Sequence, residues 1–215
     1  MYRLSCRTLG PIATNCYTVI NESTNEAILI DATGKADILL KEVETAGARL
    51  VAVLLTHAHF DHIDAVEEVR KLYSDAVVYI GEHDAPLLGD PALNLSYSFT
   101  GVPVTVEADR TVKDGEEIEL IGLNFRCIEV PGHTIGGMCY YTTISDDKDV
   151  HIVFDGDTLF HGSVGRSDFP TGDGETLIRS IKEKLLTLPE DTRVFPGHNS
   201  DSTIGWEKEK NFYFA

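Results

Sequence analysis

Seven consecutive residues, T-H-A-H-F-D-H, carry three imidazoles and a carboxylate: His57, His59, Asp61 and His62. They follow directly on an apolar run, V-A-V-L-L. In an extended segment, residues two apart project to the same side, so His57 and His59 can face one ion together. Asp61 and His62 fall where a helix is expected to begin, and a carboxylate there is favoured by free N–H groups and the helix dipole. The four side chains need not converge on one ion. They can split into two pairs that serve two neighbouring ions. The pattern is not H-E-x-x-H, in which two imidazoles on one helix hold a single zinc.

Three later stretches repeat the arrangement of a metal-binding side chain just past a strand-like run. His133 follows F-R-C-I-E-V in P-G-H-T, Asp157 follows H-I-V-F in D-G-D-T, and His198 follows T-R-V in F-P-G-H. A single histidine at a strand end is more often a hydrogen-bonding residue than a ligand, but recurrence at four strand ends points to a shared cleft. Five histidines and two aspartates could build a site for two divalent ions. Imidazole with carboxylate suits zinc first, with iron or manganese also fitting, and disfavours calcium or magnesium cages. Two such ions about 3.5–4 Å apart lower the pKa of a bridging water, so no Ser or Cys nucleophile is required.

These residues must be held by alternating strands and helices. Y-R-L-S-C-R-T-L, C-Y-T-V-I and A-I-L-I-D read as three strands. Ile38, Leu39, Val43 and Ala46 fall on one helical face, and Ile63, Val66, Val69 and Tyr73 on another. The continuous run from Val51 to Leu55 predicts a strand covered on both faces. Residues 84–110, with Pro86, Pro91 and Pro103, read as a loop or hairpin excursion. The strand pattern restarts near residue 116, and Leu177, Ile181, Leu185 and Leu188 mark a later helix. A short closing helix is expected around Ile204 to Lys210. No linker or low-complexity stretch interrupts the chain, so residues 1–215 read as one domain of the α/β or α+β class, with two sheets face to face.

The 215 residues are 42% hydrophobic and 25% charged, the balance of an ordinary globular protein. The formal net charge of −17 repels phosphate backbones, so nucleic acid is not an expected partner. No run approaches the roughly 20 apolar residues of a membrane span. The first ten residues lack the apolar core of a signal peptide, which predicts a cytoplasmic location. Cys6, Cys16, Cys127 and Cys139 form no C-x-x-C pair and read as small buried hydrophobes in a reducing compartment, although one bridge stays open.

H-x-H-x-D-H over His57 to His62, followed in order by His133, Asp157 and His198, resembles the motif series of the metallo-β-lactamase superfamily. The resemblance spans nearly the whole chain and implies an αββα sandwich with the site at one edge between two sheets. P-G-H-T-I-G-G, G-D-T-L-F and G-H-N-S-D-S-T-I-G-W-E-K are similar to the glyoxalase II-like thioester hydrolases, and G-S-V-G-R-S-D-F-P to their short single-domain bacterial members. That likeness implies a first ion on His57, His59 and His133, a second on Asp61, His62 and His198, and Asp157 bridging them. Asp61 would also orient the hydroxide, and Asp31, which ends its strand, would support the ligands from behind. The implied substrate is a small acyl-thiol such as S-lactoylglutathione.

The chain departs from its relatives in several places. True β-lactamases of this fold use a Cys at the Asp157 position and lack the last His of the first motif, whereas both sites here look complete with His and Asp, which argues against antibiotic hydrolysis. The appended helical domain of two-domain glyoxalase II enzymes has no counterpart after His198, and Arg166-Ser167-Asp168 stands where they carry a Lys/Tyr segment. Glutathione specificity is therefore not implied. Arg166 could clamp a substrate carboxylate or pair with Asp168, and Leu95, Tyr97 and Phe99 could wall a substrate pocket or pack under a loop. His161 is a further group within reach. The rival reading is a persulfide dioxygenase of the same fold, with one iron on His57, His133 and Asp157.

Overall fold

The computed structural model describes residues 1–145 and 148–215. Its first half forms a six-stranded sheet in chain order: β1 (Tyr2–Leu9), β2 (Thr14–Asn21), β3 (Glu26–Ile30), β4 (Arg49–Leu54), β5 (Val77–Gly81) and β6 (Arg110–Val112). The first three strands are antiparallel and β3 to β6 are parallel. Parallel neighbours need crossovers, and helices supply the first two. α1 (Ala36–Leu39) and α2 (Lys41–Ala46) join β3 to β4, while α3 (Phe60–Ile63) and α4 (Val66–Leu72) join β4 to β5.

The second sheet starts at Glu117, where the sequence pattern restarts. It comprises β7 (Glu117–Leu120), β8 (Leu123–Glu129), β9 (Met138–Ser145), β10 (Asp149–Gly156), β13 (Arg193–Pro196) and β14 (Ser202–Thr203), in the spatial order β14-β13-β10-β9-β8-β7. A two-stranded hairpin, β11 (Leu159–Phe160) with β12 (Ser163–Val164), leaves its edge. α6 (Gly174–Ser180) runs on into a π-helical turn through Leu185, and α7 (Ile204–Lys210) follows β14. Capping sets both helix starts: Asp173 accepts a hydrogen bond from Thr176 N at 2.7 Å, and Thr203 from Trp206 N at 3.2 Å.

Strand parity divides the core into three apolar layers, which is what makes an αββα sandwich. Along β3, Ala27 and Leu29 face α1, α2 and α4, while Ile28 and Ile30 face the other sheet. Along β10, Ile152 and Phe154 point between the sheets and Val153 points outward to Leu177, Ile181 and Ile204. The inter-sheet layer is aromatic, with Tyr17, Phe125, Tyr140, Phe154 and Phe195 all buried. Truncating a fully buried ring such as Phe154 to Ala costs about 3–5 kcal/mol.

Three local expectations need correction. The stripe from Ile38 to Ala46 is two short helices broken at Leu40, not one. Residues 84–110 form no hairpin: they carry a 3-10 turn, Ala85–Gly89, and a single-turn helix, α5 (Ser96–Thr100). Cys16, Cys127 and Cys139 are buried as expected, but Cys6 is exposed, and all four are free thiols.

Candidate metal centre

Topology brings the candidate ligands to one edge. β3 and β4 run parallel in the first sheet, so Asp31 and the segment Thr56–His62 leave from neighbouring carboxyl ends. In the second sheet β10 is parallel to β13 and separated from β8 by one antiparallel strand, so His133, Asp157 and His198 also emerge at matching ends. Functional groups of sheet proteins collect at such edges because a rigid scaffold fixes the strand ends while the loops stay free to specialise.

The seven side chains meet there in three overlapping sets whose ligand atoms lie within 4.8 Å of one another: His57, His59 and His133; His57, His62 and Asp157; and Asp61, His62 and His198. His62 Nε2 sits 3.3 Å from Asp61 Oδ2 and 3.4 Å from Asp157 Oδ1. His198 Nε2 is 3.3 Å from Asp61 Oδ2 and 3.5 Å from Asp157 Oδ2, and His133 Nε2 is 3.6 Å from the same Asp157 oxygen. Asp157 thus touches both halves of the cluster. Close approach of the last loop depends on Gly197, because a Cβ there would lie 2.7 Å from His62 Cε1 and against Asp157 Oδ1.

Partners behind the imidazoles fix four of the five. Thr56 Oγ1 lies 3.1 Å from His57 Nδ1, Asp31 Oδ2 2.8 Å from His62 Nδ1, the Arg166 carbonyl 2.6 Å from His133 Nδ1, and the Ala13 carbonyl 3.3 Å from His198 Nδ1. Each such contact orients a ring so that its Nε2 faces the cluster. Asp31 also accepts from Thr56 N and Thr56 Oγ1 at 2.8 Å each, and Thr14 Oγ1 donates to Asp61 Oδ2 at 2.8 Å. Asp31 therefore stands behind His62 and ties it to Thr56.

Several buried polar atoms here have no hydrogen-bond partner: His57 Nε2, His59 Nε2, His62 Nε2 and Asp157 Oδ1. Each orphaned buried group costs roughly 1–3 kcal/mol, so four in one cluster call for a ligand, and an imidazole–carboxylate donor set fits divalent cations. Charge distribution agrees. Burial, with neighbouring His62 and other imidazoles, holds His57 well below its ordinary pKa, and burial with His133 pushes His59 down to about 3. Both rings are neutral and carry free lone pairs. Burial alone would raise Asp61 and Asp157, yet His62 and the neighbouring imidazoles outweigh it and keep both ionised. His62 moves the opposite way: burial is overcome by Asp61, Asp31 and Asp157, which raise it well above the usual imidazole value.

A family model for the metallo-beta-lactamase superfamily matches residues 9–198. The chain belongs to that superfamily. Hydroxyacylglutathione hydrolase GloC of Haemophilus influenzae is 36% identical over 198 residues, covering 92% of this chain and 91% of that protein. Among solved structures, BLEG-1, described as a B3 metallo-beta-lactamase, superposes with a TM-score of 0.89 at 36% identity, covering 99% of this chain and 100% of that one. TTHA1623 in a di-iron-bound form gives a TM-score of 0.80 at 35% identity, covering 97% and 99%. This superfamily member is a metallo-hydrolase.

A cavity of about 410 Å³ opens over the cluster, with His59, Asp61, His133, Asp157 and His198 at its floor. Leu95, Phe99 and Arg166 line it, but Tyr97 does not and is 65% exposed. α5 explains the split. In an extended loop Tyr97 and Phe99 would share a side, whereas on a helix residues two apart diverge by about 200° and residues four apart nearly coincide. Phe99 therefore faces the cleft and Tyr97 faces away, while Leu95, the residue just before the helix, lines the cleft from outside it. His161 is also outside the cavity, stacked on Trp206 at 4.0 Å between ring centroids. Of the two roles considered for it, Arg166 shows the pairing with Asp168, through Nε at 2.8 Å and Nη2 at 2.7 Å, while also lining the cavity.

Asp84 is among the residues that escaped sequence reasoning altogether. Asp84 is fully buried and accepts from Ala58 N at 3.0 Å, Thr134 Oγ1 at 2.9 Å and Gly136 N at 2.7 Å. It thereby ties the loop bearing His57 and His59 to the loop bearing His133. Its partners are mostly backbone groups from two distant segments, which leave no mark in a sequence motif.

Proposed function

We propose that the chain is a binuclear metal-dependent hydrolase of thioesters, with S-lactoylglutathione or a related acyl-thiol as the substrate type. The observation that carries this reading is the convergence of three overlapping ligand sets, with orphaned buried donors, on the floor of one cavity. His57, His59 and His133 would hold one ion and Asp61, His62 and His198 the other, with Asp157 shared. Zinc is the first choice, with iron or manganese accepted by the same donors. When bound, such ions supply an ionised water near neutral pH and a Lewis acid for a carbonyl oxygen.

The chain's own residues do the rest. Asp61, locked by Thr14, keeps an ionised carboxylate beside His62 and His198, where it can accept a hydrogen bond from the attacking water and orient it. Asp31 and the Arg166 and Ala13 carbonyls hold three ligand rings in place, so no reorganisation is needed during reaction. The apolar cavity wall orients the acyl group and limits bulk water. In the overall reaction a C–O bond forms at the acyl carbon, the C–S bond breaks, and a carboxylate, a thiol and a proton result. A thiolate leaves readily, so the chain need not supply a strong general acid.

β-Lactam hydrolysis is a second reading, favoured by the BLEG-1 likeness. It revises the expectation that a complete His and Asp set argues against it, since a structure at 36% identity carries that description. Thiol release from S-lactoylglutathione, set beside nitrocefin cleavage and oxygen uptake with glutathione persulfide on one preparation, separates the readings. Rapid thiol release with neither other activity is the expected result. Nitrocefin cleavage alone would overturn the thioester reading, and oxygen uptake alone would return the dioxygenase.

A further inference from the structure

The wall of the cavity is apolar, aromatic and firmly built. Phe60 and Phe99 stack with ring centroids 5.6 Å apart, Phe99 meets Phe169 edge-on at 5.6 Å, and Phe169 lies 5.9 Å from the His59 ring. The stack thus reaches from the cavity mouth to the candidate ligands. Phe160 and Val164 from the β11–β12 hairpin and Leu95 complete the apolar lining.

Phe99 is half exposed although its ring belongs to this cluster, the state of a surface that lacks a covering group. Leu95 adopts a left-handed backbone with φ of +66°, which a bulky non-glycine residue takes only when its surroundings enforce it. Asn94 supplies that enforcement. Fully buried, it donates through Nδ2 to Val104 O at 2.8 Å, accepts from Ser96 N at 3.0 Å, and its carbonyl accepts from Phe60 N at 2.8 Å.

Among the described lining residues, Arg166 is the single Arg or Lys, and it is not free. Its guanidinium is forked onto Asp168 and lies flat on Phe169, 3.7 Å from the ring centroid. A substrate carboxylate would have to displace a carboxylate two residues away, in a chain of net charge −17. The guanidinium instead extends the aromatic floor as a planar, charge-compensated surface.

We infer that this pocket prefers uncharged, apolar acyl groups of medium length or with an aromatic end, seated on Phe60, Phe99 and Phe169, over short polar or anionic acyl groups, so that S-lactoylglutathione is a substrate of the site but not its best one. The inference rests on the thioester hydrolase reading for its reaction, and on the wall alone for its specificity. Four additional methylenes against these rings are expected to give about 10–100-fold in kcat/KM.

The test uses the protein with the metal it carries on purification and three thioesters of one uncharged thiol, acetyl-, hexanoyl- and succinyl-N-acetylcysteamine, followed by thiol release. The expected order is hexanoyl over acetyl by at least about 10-fold, with succinyl last. Phe99→Ala, at a half-exposed position compatible with folding, should reduce the hexanoyl-to-acetyl ratio at least about 5-fold, as should Phe169→Ala. Equal rates, or a preference for succinyl, would overturn the specificity and leave the hydrolase reading standing. Binding of S-hexyl-N-acetylcysteamine, a thioether with no thioester carbonyl to attack, is measured by calorimetry on the same proteins. If no thioester is cleaved, the hydrolase reading fails, and this titration alone decides the wall: binding weakened by Phe99→Ala upholds it, and absent or unaltered binding overturns it.

Discussion

The floor and the wall of the cleft are held in different ways. On the floor, four candidate-ligand imidazoles are each fixed by an atom behind them, and the carboxylates are fixed by Thr14, Thr56 and the rings themselves. Directional bonds leave each side chain one position, as the proposed two-ion chemistry would demand. On the wall, Phe60, Phe99 and Phe169 meet through ring faces and edges, and the directional bonds sit one layer back at Asn94. Ring contacts tolerate different occupants. On the proposed reading the floor would define the reaction and the wall the range of substrates, so changes on the two should fail differently.

The largest effect is expected from the floor. His57→Ala or Asp157→Ala should lower kcat/KM at least about 1,000-fold, equivalent to about 4 kcal/mol, and reduce metal content, with an unaltered far-ultraviolet circular dichroism spectrum. Normal metal content with retained turnover would erase the distinction between floor and wall. Asp84→Ala is expected to come next. It touches no ligand ring, but it unties the two ligand loops and leaves buried N–H groups unpaired, so a 10–100-fold loss of activity and about 1–3 kcal/mol of stability should follow. A stability loss without weakened metal binding would confine Asp84 to folding.

Smaller effects sharpen the boundary of the wall. Tyr97→Ala should leave kcat/KM within about 2-fold and stability within about 0.5 kcal/mol, because the ring points away from the cavity. Outside both regions, the Glu129 carboxylate, hydrogen-bonded to His83 Nδ1 at 2.5 Å, raises the His83 pKa above its ordinary value. A raised histidine stabilises the fold fully below its unfolded pKa, and that contribution is lost as pH rises through the higher folded value. His83→Asn should therefore lower stability near pH 5.5 and not near pH 9, by less than about 1 kcal/mol at this exposed site. Denaturant midpoints at the two pH values check the sign.

How much of this was legible in the sequence follows the same division. The floor was: H-x-H-x-D-H and the later His133, Asp157 and His198 stand at strand ends, and strand ends can be read from apolar runs. The wall was half legible. Leu95 and Phe99 belong to it, but reading residues 84–110 as a loop or hairpin grouped Tyr97 with Phe99, and one turn of helix parts them. Phe60 and Phe169 drew no notice because an isolated aromatic has no spacing rule. Asp84 and Asn94 were invisible, since their partners are backbone groups brought together by the fold.

The most direct test of the two-ion floor is elemental analysis of the purified chain beside His198→Ala and His59→Ala. Near two ions per chain, falling to near one in either variant, is the expected result. One ion per chain, unaltered by His198→Ala, would contradict it.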